Sequence, residues 1–241
     1  MSGPDRRELA VTRPWMRAGE AFVAQLVDRL SEDELRAPSA LPGWSRAHVV
    51  GHLARNAEAL HRLARWARTG VQTPMYPSPQ QRNAAIEASA QAPAGTLRGE
   101  LHSTAAALEA ALDALDETTW QAEVRSALGR PIPATEIPWM RVREVWLHGV
   151  DLDAGATVAD LPPGVVDALL DDATGTMSAR EDTLSVRLDA ADRDRAWTLG
   201  QGGGAVLRGT AADLLGWLLG RTDGAGVSAD PGPLPVAPRW L

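Results

Sequence analysis

The chain has 241 residues, 44% hydrophobic and 23% charged, with a net charge of −7, enough for one large or two moderate cores. No apolar run approaches the roughly 20 residues of a membrane span, and the polar start from Met1 to Arg13 lacks the apolar core of a secretory signal, so a cytoplasmic protein is expected. The acidic balance, without a basic stripe or tail, argues against nucleic-acid binding.

The first helix is predicted over about 14–31, where Trp15, Ala18, Phe22, Leu26 and Leu30 recur at helical spacing. Ser31 to Gly43 reads as a polar connection. Ser45 is a suitable N-cap for a second helix over 46–69, with Gly70 as its stop. Pro74, Pro77 and Pro79 mark a loop. A third helical region spans about 81–117, with Pro93 and Gly95 as points where it kinks or splits. After Pro131 and Pro133, Thr135 is the expected cap of a fourth helix, with Pro138 in its first turn and an end near 153–155. Four helices in about 150 residues predict a four-helix bundle over 1–155.

Beyond it the pattern changes. A helix over 163–178 precedes alternating strand signals at Leu184, Val186 and Leu188, then at 195–199 and 205–208. The Gly200–Gly204 run between the last two reads as a hairpin turn rather than a phosphate cradle. An apolar helix over 210–221 and a Gly/Pro-rich tail follow. Residues 156–241 are therefore expected to form a small α+β domain.

The chemistry concentrates in Arg141-Val-Arg143-Glu144-Val-Trp-Leu-His148-Gly-Val-Asp151. Glu144 and His148, four apart on a helix, sit about 40° apart around the axis and about 6 Å apart along it. A carboxylate and an imidazole that reach one point are two ligands of a metal site, which needs a third from a facing helix. The second helix offers His48 and His52; His61 faces away from His52, and His102 lies on the third helix. Two histidines and one glutamate with an open position form a catalytic zinc arrangement. Trp44 and Trp146 flank the proposed site, as walls or as core anchors. Arg221 ends an apolar helix, where it offsets the helix dipole or reaches a carboxylate.

Two absences bound the mechanism. All 24 basic residues are arginine, so lysine Schiff bases and P-loop lysines are excluded. Cysteine is absent, so any thiol chemistry needs a thiol brought by a small molecule.

The stretch Leu41-Pro-Gly-Trp44-Ser-Arg-Ala-His48-Val-Val-Gly-His52-Leu53 resembles the second-helix motif of the DinB-like metal-binding superfamily, in particular the mycothiol-dependent maleylpyruvate isomerase family. Arg141-x-x-Glu144-x-x-x-His148-x-x-Asp151-Leu is similar to that family's fourth-helix motif, and the remainder to its C-terminal domain. The resemblance implies a DinB-like bundle with His52, Glu144 and His148 as metal ligands, and with Asp151 either as a partner orienting the ligating histidine or as a hydrogen-bonding residue at the helix end. It also implies zinc and mycothiol as cofactors. The thiolate would add to the double bond of maleylpyruvate, the resulting single bond would rotate, and thiol loss would give fumarylpyruvate. Arg141, Arg143 and Arg221 are the candidates for holding the substrate carboxylates. A mycothiol S-transferase acting on other electrophiles and a non-enzymatic metal-binding protein are the alternatives. The expected partners are a small-molecule substrate and the thiol, without nucleic acid or membrane; the oligomeric state stays open, a monomer being one option.

Overall fold

The computed structural model of the protein describes residues 8–180 and 183–238, so the first seven residues of the polar start lie outside the described residues. The chain divides into two compact units, with the division between Ala156 and Thr157.

The first unit is the expected helical bundle. Helix α1 (Leu9–Arg29) leads to the short α2 (Glu32–Arg36), which the polar composition of that connection concealed. Ser31 and Glu34 close it with a reciprocal capping box. Helix α3 (Arg46–Thr69) runs between Ser45 and Gly70 as expected. The third helical region is split: α4 (Pro79–Gln91) ends before Pro93, and α5 (Ala94–Asp113) starts after it. Proline disfavours helical backbone in the residue before it, which places the break. A four-residue α6 (Glu117–Trp120) and a two-stranded hairpin follow, β1 (Glu123–Arg125) against β2 (Pro131–Pro133). The fourth long helix is α7 (Ile137–Asp151). Thr135 does not cap it; it lies buried in a 3₁₀ turn, Ala134–Glu136, through which the hairpin enters the helix.

Helix α3 packs on α5 and α7, while α1 packs on α7. Val49, Val50, Leu53, Leu60 and Leu63 of α3 are fully buried. The α1–α7 contact is unusually close. A Cβ on Gly19 would stand 2.4 Å from Val145 Cγ2, and one on Gly149 would stand 2.5 Å from Phe22 Cε1. Phe22 and Trp146 stack there with ring centroids 5.0 Å apart, and Trp146 Nε1 donates to the Trp15 carbonyl at 3.0 Å. Trp146 is thus an anchor between α1 and α7.

The second unit is the small α+β fold: α8 (Pro163–Ser178), β3 (Val186–Ala190), β4 (Ala196–Leu199), β5 (Val206–Gly209), α9 (Ala211–Leu218) and β6 (Ser228–Asp230). The sheet order is β4-β3-β5-β6, with β3 antiparallel to β4 and parallel to β5. This corrects the hairpin expectation, since β4 and β5 flank β3 rather than pair with each other. The glycine run carries the chain past the start of β3, where a Cβ on Gly204 would lie 1.7 Å from the Ser185 carbonyl oxygen. That close backbone approach, not a turn type, requires the glycine.

Candidate metal centre

The two sequence motifs meet because hydrogen bonds to the backbone carbonyls at the end of α7 tie them together. Ser45 accepts from the His48 amide at the start of α3. Just before it, Ala40 N donates to the Asp151 carbonyl at 2.9 Å. Arg46 Nε donates to the Leu152 carbonyl at 2.8 Å and Arg46 Nη2 to the Asp153 carbonyl at 2.6 Å. The start of α3 is therefore fixed against the end of α7.

That placement separates the two histidines of α3. His48 serves the helix start: its Nδ1 is 2.7 Å from Ser45 Oγ, and its Nε2 is 3.0 Å from Glu87 Oε2. Both ring nitrogens are occupied by the protein. His52, one turn later and only 4% exposed, faces α7. His102 is directed to Asp28 at 3.2 Å on the α1–α5 surface.

His52, Glu144 and His148 form the one cluster among the described residues in which three such ligand atoms lie within 4.8 Å of one another. His52 Nε2 is 2.8 Å from Glu144 Oε2, and His148 Nε2 is 3.4 Å from the same oxygen. The two imidazoles meet edge to face, with centroids 4.7 Å apart. His148 Nδ1 is 2.9 Å from Oδ2 of the buried Asp151. As donor to that carboxylate, Nδ1 carries the proton and leaves Nε2 directed at the cluster. Trp44 covers His52 from the other side, with ring centroids 5.6 Å apart.

The charges are strongly coupled. Burial disfavours the Glu144 anion, but hydrogen bonds from His148 and His52 outweigh it and hold the carboxyl well below its usual range. Burial likewise disfavours a charged His148, yet bonding to Asp151 and Glu144 raises it to about 9. For His52 burial prevails over the pull of Glu144, and its pKa is lowered. This donor set fits a zinc-like ion. Two imidazole nitrogens and one carboxylate oxygen converge on a point, one histidine is oriented from behind, and no fourth His, Cys, Asp or Glu joins them among the described residues.

The predicted arginines separate. Arg141, one turn before Glu144, is fully buried. Its Nε and Nη2 donate to Glu20 at 2.6 and 3.1 Å, and its Nη1 to the Leu53 carbonyl and Asn56 Oδ1 at 2.8 and 2.9 Å. Its donors hold α1 and α3 to α7, which leaves no place for a substrate carboxylate. Arg143 is half-buried on α7, adjacent in sequence to Glu144. Arg221 belongs to the other unit, where its Nη1 donates to the Leu219 carbonyl at 2.7 Å.

Two residues near the triad escaped the sequence reading. Arg82, on α4, places Nη2 3.2 Å from His52 Nδ1. Tyr76, the chain's one tyrosine, lies with its ring centroid 5.5 Å from the Arg82 guanidinium carbon. Only the uniqueness of Tyr76 within a proline-rich loop marked either of them.

A family model for the mycothiol maleylpyruvate isomerase N-terminal domain matches residues 16–153, and a model for the C-terminal domain of the same family matches residues 160–239. Two crystal structures match along 100% of both chains. One, of the mycothiol-dependent maleylpyruvate isomerase H52A mutant, has 32% identity and a TM-score of 0.92. The other, of the mycothiol-dependent maleylpyruvate isomerase, has 33% identity and a TM-score of 0.89. No curated protein sequence matches the chain.

Proposed function

The chain belongs to the mycothiol maleylpyruvate isomerase family, and from that premise we propose that it is a thiol-dependent cis–trans isomerase, converting maleylpyruvate to fumarylpyruvate with mycothiol as the thiol. The observation that carries the reading is the convergence of His52, Glu144 and His148 on one point. These three residues would hold a zinc ion. Bound there, zinc would stabilise the thiolate form of a coordinated thiol at neutral pH.

The chain's own residues prepare that site. Asp151 accepts the His148 Nδ1 proton and so keeps the lone pair of Nε2 aimed inward. The Trp44 ring shields His52 from water. With no cysteine in the chain, the nucleophilic sulfur has to come from the small thiol. The substrate carries a carboxylate at each end, and rotation about the former double bond requires one end to be held while the other moves. Arg143 and Arg221 are proposed for this holding role, Arg141 being committed to Glu20. We place the protein in the cytoplasm, acting on small molecules rather than on nucleic acid or membrane; among the described residues no helix is long and apolar enough to cross a membrane.

The test is to follow maleylpyruvate loss by the zinc-loaded protein with and without mycothiol. Turnover that depends on both is expected. No thiol-dependent loss of maleylpyruvate would overturn the isomerase reading, and consumption of thiol by other electrophiles in its place would mark an S-transferase.

A further inference from the structure

Among the described residues, Arg82 is a half-buried cation with no carboxylate within ion-pair distance. None of the ion pairs among the described residues includes it, whereas Arg55 pairs with Glu58 and Glu100, and Arg141 with Glu20. Its polar contacts are Asn83 Oδ1, at 3.2 Å near the surface, and His52 Nδ1, at 3.2 Å beside the triad. Tyr76 supports the guanidinium from its ring face. Burial and the negative charge of Glu144 push the Tyr76 hydroxyl above its usual range, so it stays neutral and leaves the arginine's charge uncancelled.

The contact with His52 has a chemical consequence. A guanidinium only donates, so His52 Nδ1 must accept, which places the ring proton on Nε2, toward Glu144. A metal held at Nε2 needs that lone pair free, and the proton then belongs on Nδ1. Two donors would face each other, and Arg82 would lose its acceptor on His52. A cation set free beside the reacting centre calls for an anion, and a planar guanidinium matches a carboxylate through two parallel hydrogen bonds.

We propose that Arg82 is a carboxylate-binding residue of the metal-loaded site, released from His52 by metal binding and held over Tyr76 to fix one end of the substrate. This inference rests on the reading of the site as an isomerase of a dicarboxylate. It adds a holding residue carried by the helical unit itself, on the α4 side of His52.

The test uses the full zinc-loaded chain and two variants, Arg82→Gln and Arg82→Lys. Succinate, a dicarboxylate with no double bond to isomerise, serves as a binding probe by calorimetry without thiol, alongside KM and kcat for maleylpyruvate with mycothiol. Losing a charge-assisted pair should weaken succinate binding and raise KM about 10- to 100-fold in Arg82→Gln, with kcat changed less and zinc content unchanged. Arg82→Lys should recover part of both, since it keeps the charge without the fork. Unchanged succinate affinity and KM in Arg82→Gln would overturn the assignment. Loss of zinc from both variants would overturn it too, making Arg82 a support for His52. Succinate binding that depends on Arg82 in a protein that does not isomerise maleylpyruvate would keep the anion site and remove the isomerase reading.

Discussion

Two polar clusters lie one turn apart along the same α3–α7 contact, and they differ in how their bonds close. In the first, Arg141 spends four hydrogen bonds on Glu20, the Leu53 carbonyl and Asn56. Donors and acceptors match, so the cluster is complete with protein alone. In the second, His52 and His148 both direct Nε2 at a single oxygen of Glu144. Three ligand atoms converge on one point, where the protonated His148 ring supplies the cation when no metal is bound. Buried polar groups are ordinarily satisfied by their neighbours, so a closed cluster reads as architecture and a convergent one as a place for an ion.

The strongest way to break this contrast is Glu144→Ala. It removes the shared oxygen and should lower thiol-dependent maleylpyruvate turnover by at least about 10³-fold, if the site supplies the activated thiolate. The melting temperature should move much less, because Glu144 is not a link in the closed cluster. Glu20→Gln tests the other side. It leaves the fully buried Arg141 charge without its anion and should cost about 3 kcal/mol of folding stability, read by denaturant unfolding, with zinc content unchanged. A Glu20→Gln protein of native stability would show that the Arg141 cluster is not structural.

Asp151→Asn sharpens the contrast within the triad. The amide still fits, but it no longer accepts the Nδ1 proton as an anion, and zinc affinity should fall about 10- to 100-fold in a competition titration. The smallest effect is on pH dependence. The raised His148 value, about 9, means that the imidazolium stabilises the metal-free fold below its unfolded value of about 6.5, and that this stabilisation is lost as pH rises toward 9. Zinc needs the neutral ring. Binding at pH 7 should therefore release about one proton, seen by calorimetry in buffers of different ionisation heat, and apparent affinity should climb roughly tenfold per pH unit toward 9.

Much of this arrangement is legible in the sequence where spacing carries the geometry. Glu144 and His148 at four-residue spacing, and the long helices flanked by Ser45 and Gly70, follow from local rules. The choice between His48 and His52 does not follow from spacing, because both stand on α3. It becomes visible in the role of His48 as the residue that closes the Ser45 cap and reaches Glu87. Arg141 misleads for a related reason. Its place in the motif is equally consistent with reaching a ligand or anchoring three helices, and only its partner Glu20, 121 positions away, decides. Arg82 and Tyr76 lie in a proline-rich loop and the helix after it, where no periodicity points inward. The shortest elements, α2, the β1–β2 hairpin and β6, are too brief to show a period. The parallel pairing of β3 with β5 depends on contacts that no local pattern encodes.

The central claim is that the convergent cluster holds the metal and the closed one does not. It is tested most directly by measuring zinc in the purified protein and in His52→Ala, Glu144→Ala and His148→Ala variants, with Glu20→Gln as the comparison. About one zinc per chain in the wild type and in Glu20→Gln, with most of it lost from each triad variant, is the predicted result. Full zinc retained by His52→Ala would contradict the account and move the site to His48.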